Sequence, residues 1–283
     1  MLINVLDAKL REYAPTNALE QDNVLQELMQ HYVLASLSRA GLFSEAVFHG
    51  GTCLRIVNNI NRFSEDLDFL LKRPDQTFRW QAYLGAVQKD LNQEGIVFDI
   101  QDKSQAGTVV QKAFLKTDSI GKILTLDLPF ERHNPRKLRI KLEIDTNPPA
   151  GSTFTTSYIT FPVTAPLTTQ TLESSFALKL HALLCRTYVK GRDWFDFVWY
   201  VSQKTQPHLP LLREALKQQG PWAHQELTID HSWLQEHLGA TIRRIDWNLA
   251  KQDVQRFLPQ REQEGLQAWS SDFFLHFLNR LPH

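Results

Sequence analysis

Two stretches of the chain alternate apolar and polar residues strictly, and they govern the reading of its first half. Over Asp66–Leu71, Leu67, Phe69 and Leu71 fall on one face of an extended segment, while Asp66 and Asp68 share the other with the preceding Ser64. From Arg136 to Asp145, Leu138, Ile140, Leu142 and Ile144 oppose Lys137, Arg139, Lys141, Glu143 and Asp145. Each predicts a strand with one buried face. Shorter signals predict strands over 45–49, 96–101, 108–117 and 121–130. Leu25, Leu28, Met29, Tyr32, Val33 and Leu37 recur at helical spacing, which predicts a helix over 16–40, capped by Thr16 or Asn17 and stopped by Gly41. Helices over 52–59 and 76–94 complete this half.

Beyond Asp145 the pattern changes. Residues 146–170 carry Pro148, Pro149, Gly151, Pro162 and Pro166 among many threonines, which predicts a connector with one short strand and a domain boundary. The rest reads as helices over 172–188, 208–219, 231–238, 247–257 and 268–280, with Gly191 ending the first and Asp193 capping the helix after it. The expected fold is α/β plus α: a mixed-sheet core in a domain of residues 1–165, then a helical bundle domain, 166–283, closing the active-site cleft.

Composition narrows the classes. With 283 residues, 42% hydrophobic and 22% charged, the chain can bury a sizeable core. Its 31 basic residues balance 31 acidic ones, so it is no polycation, and any nucleic-acid contact must come from a local patch. The densest basic run is Arg132, Arg136, Lys137, Arg139 and Lys141, which is where phosphate-backbone contacts are expected. Cys53 and Cys185 sit in apolar helical contexts and read as buried free thiols, not zinc ligands. The start lacks a signal-peptide core, and no apolar run approaches the ~20 residues of a membrane span. A cytoplasmic location is expected.

The candidate chemistry lies in Phe48-His49-Gly50-Gly51-Thr52, a tight turn opening a short helix. Adjacent glycines let backbone N–H groups approach an anion, and Thr52 adds a hydroxyl to that cradle. Asp66 and Asp68 follow on the strand, two carboxylates suited to Mg²⁺ on a nucleotide's phosphates. Glu143 and Asp145 share the polar face of the later strand, which is either a solvated face or the source of a third carboxylate, as metal ligand or general base. Farther on, Lys179 falls inside an apolar helical stripe, where it either snorkels at the rim or points into a cleft. Asp196, flanked by Trp194, Phe195, Phe197 and Trp199, either pairs with a cation, Arg192 or Lys190, or lines the site.

The order Gly-Gly-Thr, helix, Asp-x-Asp resembles the nucleotidyltransferase superfamily. His49-Gly-Gly-Thr-Cys-Leu-Arg55 with Arg62-Phe-Ser-Glu-Asp-Leu-Asp-Phe69 resembles, more closely, the AbiEii/AbiGii toxins of bacterial toxin–antitoxin and abortive-infection systems. Lys179 with Lys190-Gly-Arg-Asp193-Trp-Phe-Asp196 is similar to a later motif of that family. The resemblance covers residues 45–200 and departs from the pattern at His49, where Lys is common, and at Thr52, where Ser is common.

The resemblance implies a Mg²⁺- or Mn²⁺-dependent transfer of a nucleoside monophosphate from an NTP to an acceptor, with pyrophosphate released. Gly50, Gly51 and Thr52, with Arg55 and Ser64, would hold the nucleotide. Asp66, Asp68 and Glu143 would hold the metal, Glu143 or Asp145 would act as base, and Lys179 would offset triphosphate charge. The later acid is Asp193 or Asp196. The implied acceptor is an RNA such as a tRNA 3′ end, and the implied partner a winged-helix antitoxin. Two other readings stand beside it. A small-molecule, antibiotic-type nucleotidyltransferase would want an acidic second pocket, where this chain offers a basic strand. A catalytically silent binding module would gain nothing from three carboxylates that repel one another without a metal.

Overall fold

The computed structural model describes residues 2–95, 97–102, 119–128 and 136–282, with the backbone alone at several of these, among them Arg136 and Lys137. The chain divides into two compact units: residues 1–59, 63–148 and 155–169 in one, and 60–62, 149–154 and 170–283 in the other.

The first unit is built on a mixed sheet. Its elements in chain order are α1 (Leu2–Tyr13), α2 (Ala18–Arg39), β1 (Ala46–His49), α3 (Gly50–Asn58), β2 (Asp66–Leu71), α4 (Gln81–Gln93), β3 (Val97–Asp102), β4 (Ser119–Leu128), β5 (Arg136–Asp145), β6 (Phe154–Ile159) and β7 (Ala165–Gln170). Among the described residues the sheet has seven strands in the order β3-β4-β5-β2-β1-β7-β6. β2 runs antiparallel to β1 but parallel to β5, and β1 runs parallel to β7. β4 is antiparallel to both β3 and β5.

Both alternating stretches form the strands expected of them. Leu67, Phe69 and Leu71 of β2 join Leu138, Ile140, Leu142 and Ile144 of β5 in one core, with Phe48 of β1 beside them. Leu28, Met29, Val33 and Leu37 of α2 are buried in the same core. α2 begins where Asn17 accepts the N–H of Glu20 at 2.9 Å, and the Glu20 carboxylate accepts the N–H of Thr16 at 2.9 Å, a reciprocal cap. Two amides of α2 then fix the sheet edge-on: Gln30 donates to the carbonyls of Ser64 and Glu65, and Gln26 to that of Arg139. These bonds satisfy carbonyls in the segment entering β2 and in the middle of β5.

Two expectations need correction or extension, and a third cannot be placed. The apolar pattern suggested no element before residue 16, yet Leu2–Tyr13 is helical and Leu6 is buried. The stretch 146–170 holds two strands where one was expected, because its β-branched threonines suit a pleated surface once β1 offers an edge to β7. The strand expected over 108–117 lies outside the described residues.

The second unit contains α5 (Leu172–Cys185), α6 (Gly191–Ser202), α7 (Leu209–Gln218), α8 (His231–Arg244), α9 (Trp247–Gln255), the single turn α10 (Gln260–Gln263) and α11 (Ser271–Leu278). Its core is aromatic: Trp247 stacks on Phe274 at 4.0 Å between ring centroids, Trp194 meets both edge-on, and Phe176 stacks on Tyr200 at 4.6 Å. The expected break between its first two helices moves. α5 stops at Cys185, and Gly191 opens α6 instead of closing α5. The glycine is required by packing, since a Cβ there would lie 1.9 Å from the carbonyl oxygen of Ala250 in α9. Lys190 is consequently the N-cap residue, and Asp193 lies in the first turn with its side chain buried.

Candidate active site

β1 ends at His49 and α3 starts at Gly50 without an intervening loop, so the turn is made by Gly50 itself at φ 78°. His49, the N-cap residue of α3, gives the helix no side-chain cap. The helix dipole favours an anion at this end. Gly50 is demanded twice over. Besides its positive φ, a Cβ on it would sit 2.6 Å from Oδ2 of Asp68. The expected cradle and the first carboxylate pair are thus in contact. Gly50→Ala is expected to lower stability by about 1–2 kcal/mol through the left-handed backbone, and to displace the Asp68 carboxylate as well. Thermal unfolding and nucleotide-transfer assays on the same preparation check this: a fully active variant would contradict it.

Thr52 takes a different part from the one its hydroxyl suggested. It is fully buried, and its Oγ1 donates to the backbone carbonyl of Asp66. The side chain clamps the start of β2 to α3.

Register brings the carboxylates together. Asp68 pairs with His49 of β1 on one side and with Glu143 of β5 on the other, and Asp66 pairs with Lys141. Paired residues on adjacent strands share a face, so His49, Asp68 and Glu143 form one row and Asp66 and Lys141 the next. Leu67 and Phe69, with their partners Leu142 and Ile144, take the opposite, buried face. The next residue on the carboxylate face, Asp145, stands beside Leu70, is 7% exposed, and accepts the N–H of Asn147 at 3.0 Å as β5 ends. The structure therefore separates the two candidates for the third carboxylate. Glu143 is next to Asp68 and half-buried, and Asp145 is turned to the chain's own backbone.

A divalent cation fits this row in one respect that the donor set makes plain. Oδ1 of Asp66 is buried and has no hydrogen-bond partner among the described residues, and the nearest cation, Lys141 Nζ, stays 3.7 Å away. An oxygen in that state calls for a cation or a donor. Among the described residues no three His, Cys, Asp or Glu side chains gather into a ready-made metal cage. Mg²⁺ is held by one or two carboxylates and completed by phosphate oxygens and water. Asp66 and Asp68 are the residues that would hold it.

Of the other expected nucleotide ligands, Arg55 is engaged within its own unit. Nε of Arg55 donates to Oε2 of Glu27 at 2.6 Å, the other Glu27 oxygen accepts from Tyr13, and the guanidinium lies 4.7 Å from the Phe63 ring centroid. Arg55 thus braces α3 against α2. Ser64 gives its carbonyl to Gln30. Of the basic run, Arg139 and Lys141 are exposed on β5, Arg136 and Lys137 begin the same strand, and Arg132 lies outside the described residues.

In the helical unit, Lys179 neither snorkels nor stands alone. Its Nζ lies 2.6 Å from Oδ1 of Asp193 and 2.8 Å from Oδ2 of Asp196. Arg62 grips Asp196 with both prongs, Nε to Oδ1 at 2.6 Å and Nη2 to Oδ2 at 2.7 Å, and Arg186 Nη1 meets Oδ2 of Asp193 at 2.5 Å. The cations of Asp196 are therefore Arg62 and Lys179, not the expected Arg192 or Lys190. Arg192 instead stacks 4.0 Å over Phe257. Burial alone would raise both carboxyls. The ammonium of Lys179 and the guanidinium of Arg186 outweigh it at Asp193, as Arg62 and Lys179 do at Asp196, and hold both well below the usual carboxylate range.

A family model described as "Nucleotidyl transferase AbiEii toxin, Type IV TA system" matches residues 32–276. The chain belongs to that family. Membership in the AbiEii toxins makes it a nucleotidyltransferase by family and implies an antitoxin partner. The solved structure of JHP933 from Helicobacter pylori has the same fold, at 17% identity over 92% of this chain and 89% of that one, with a TM-score of 0.51. A second Helicobacter pylori protein, provisionally described as a nucleotidyltransferase, aligns at 18% identity over 91% of this chain and 99% of its own, with a TM-score of 0.48. No curated protein matches the chain. No described helix is long and apolar enough to cross a membrane.

Sequence reasoning missed Arg62 as a member of the aspartate network. The residue was quoted for the resemblance, yet it lies 134 positions from Asp196 and nothing local links them. An arginine only 2% exposed demands a buried acid, but burial at that position carries no sequence period.

Proposed function

We propose that this AbiEii-family protein moves a nucleoside monophosphate from an NTP to an RNA acceptor, with a divalent metal ion at Asp66 and Asp68. The observation that carries the reading is the register that sets Asp68 beside Glu143 on one sheet face, with Gly50 against the Asp68 carboxylate. The metal would supply charge neutralisation on the phosphates. The first-turn amides of α3 bind the polyphosphate chain, and Gly50 allows it to approach the backbone. Glu143 accepts the proton of the acceptor hydroxyl. The hydroxyl oxygen bonds to the α-phosphorus, the bond from that phosphorus to the β-phosphate bridging oxygen breaks, and pyrophosphate carries away the electron pair. The proposed partner is an antitoxin of winged-helix type, and the proposed acceptor is an RNA with a free 3′ hydroxyl, such as a tRNA.

Incubation with each labelled NTP, Mg²⁺ and total RNA tests the reading: label must pass to RNA and depend on the metal. The exposed Arg139 and Lys141 support a nucleic-acid acceptor. Reversing Arg136, Lys137 and Arg139 together to Glu is expected to weaken RNA binding and to reduce its log–log salt slope by roughly 2, at ~0.7 per lost phosphate contact on a single strand. NTP binding should survive. An unchanged salt slope would make this strand a solvated face only.

A further inference from the structure

Three rings of the helical unit pack on one another at its surface instead of in its core. Trp233 and His237, one turn apart on α8, stack at 4.0 Å between centroids with 16° between their planes. Trp222, in the connection between α7 and α8, meets both edge-on, at 5.3 Å and 5.4 Å. All three are half-buried, whereas Leu234, Leu238 and Ile242 of the same helix are sealed in the core.

The cluster keeps its polar ring atoms spare. Nδ1 of His237 lies 2.9 Å from the carbonyl oxygen of Trp233, which can only accept, so Nδ1 carries the proton and Nε2 of the neutral ring is an acceptor. Among the described residues nothing bonds that Nε2 or either indole N–H, and none of the three atoms is buried. Trp247 of the aromatic core, by contrast, donates its indole N–H to Ser271 at 3.1 Å. The spare rings are also held in place. The connection carrying Trp222 is closed by the N–H of Ala223 to the carbonyl of Gly220, that of Gln225 to Trp222 and that of His224 to Lys217. Asp230 caps α8 by accepting the N–H of Trp233 at 2.8 Å.

Positive charge continues the same stripe. At 3.6 residues per turn, Trp233, His237 and Arg244 fall within about 40° of one another around α8, over ~16 Å of its axis. Arg244 is exposed, and its Nε donates to the carbonyl of Ala240 at 3.3 Å, which draws the guanidinium back along the helix toward His237. No carboxylate pairs with it among the described residues. Glu236, to one side of the stripe, is the single acid of α8.

We propose that Trp222, Trp233 and His237 form a stacking platform for unpaired bases of the acceptor RNA, with Arg244 taking a backbone phosphate. The inference rests on the reading of the acceptor as RNA and gives the helical unit a part in holding it. A nucleobase matches the cluster on both counts: its face stacks on indole and imidazole, and its edge offers partners to the spare ring nitrogens. Because every base has such a face, the platform tolerates sequence and selects for unpaired strands. An apolar partner would leave the ring nitrogens and Arg244 without a bond.

The test uses the intact chain without NTP or metal, so that failure of the platform and failure of transfer are read separately. Fluorescence anisotropy of a labelled short oligoadenylate lacking terminal phosphates measures binding. Trp222→Leu and Trp233→Leu are each expected to weaken it roughly 10-fold. Tyr158→Thr, which removes an exposed aromatic ring of the sheet unit, should leave it unchanged. Annealed to its complement, the same oligoadenylate should lose its response to Trp233→Leu. Ultraviolet cross-linking to the wild-type chain, which needs no variant to fold, should place the base adduct on a peptide carrying Trp222, Trp233 or His237. Adducts confined to other peptides, or wild-type affinity in a folded Trp233→Leu variant, overturn the platform. A protein that transfers nucleotide to RNA with an unchanged KM for RNA in Trp233→Leu keeps the transferase reading and loses the platform. One that binds the oligoadenylate through these rings but transfers nothing keeps the platform and loses the reading.

Discussion

Asp68→Ala is expected to cut nucleotide transfer by roughly 10³-fold or more while the protein stays folded, since a metal-binding carboxylate supplies several kcal/mol of transition-state stabilisation and each 1.36 kcal/mol is tenfold. Three features of its position argue for so large an effect. Asp68 occupies the middle of the row His49–Asp68–Glu143, its carboxylate fills the space a Gly50 Cβ would need, and its backbone neighbours Leu67 and Phe69 are anchored in the core. The alanine variant therefore keeps the strand and loses the charge. Asp66→Ala should behave alike, because it removes the buried oxygen that has no donor among the described residues. The measurement is label transfer from NTP under saturating Mg²⁺, alongside circular dichroism and thermal unfolding. Transfer at the wild-type rate in either folded variant would rule out the metal-pair reading.

Arg62→Met should produce the largest loss of stability. Asp196 is 0% exposed and relies on the fork of Arg62 for two of its hydrogen bonds. Without Arg62, Asp196 keeps, among the described residues, only Lys179, which it shares with Asp193, and breaking a buried pair in this way costs about 3–5 kcal/mol. At ~2–4 °C per kcal/mol for a protein of this size, Tm should fall by roughly 10 °C. Arg62→Lys should recover only part of it, because an ammonium cannot make the bidentate contact. In a double-mutant cycle, Arg62→Met with Asp196→Leu should cost well under the sum of the two. The sign of the pH dependence follows from the carboxyls. Both aspartates are held below their unfolded values, so the network's contribution is fully present above an unfolded pKa of about 3.9 and is lost as pH falls from there toward the folded values. Wild-type Tm should be level from about pH 8 to 5 and drop below about pH 4. A Tm for Arg62→Met within 2 °C of wild type would contradict this account of the network.

Much of the sheet unit was legible because its strands announce themselves locally. β2 and β5 each bury every second residue, and a period of two leaves no doubt which side Asp66, Asp68 and Glu143 take. The choice between Glu143 and Asp145 was not legible, since both sit on the same face of β5; only the parallel register with β2, set across some 75 positions, puts Glu143 beside Asp68. The contacts that the sequence did not disclose share that origin. Gly191 looks like a helix stop, as glycines between helical patterns do, but the carbonyl of Ala250 some 60 residues later is what requires it. Arg55 sits in a motif that resemblance ties to nucleotide binding, while Glu27 of α2 claims its guanidinium. Lys179 shows as a charge inside an apolar stripe, and the period gives no hint that two aspartates from the next helix enclose it.

The contact between Gly50 and Asp68 joins the end of β1, the first turn of α3 and the middle of β2 into one mechanical piece, with no side chain between loop and carboxylate to absorb a shift. Two ligands bound there, an anion on the loop and a cation on the carboxylate, cannot act independently. By reciprocal linkage, the factor by which the cation changes affinity for the anion is the factor by which the anion changes affinity for the cation. On the proposed function, metal and nucleotide would load cooperatively, and each alone would bind more weakly than the pair. A cell's free Mg²⁺ would by that coupling set the nucleotide concentration at which the toxin becomes active.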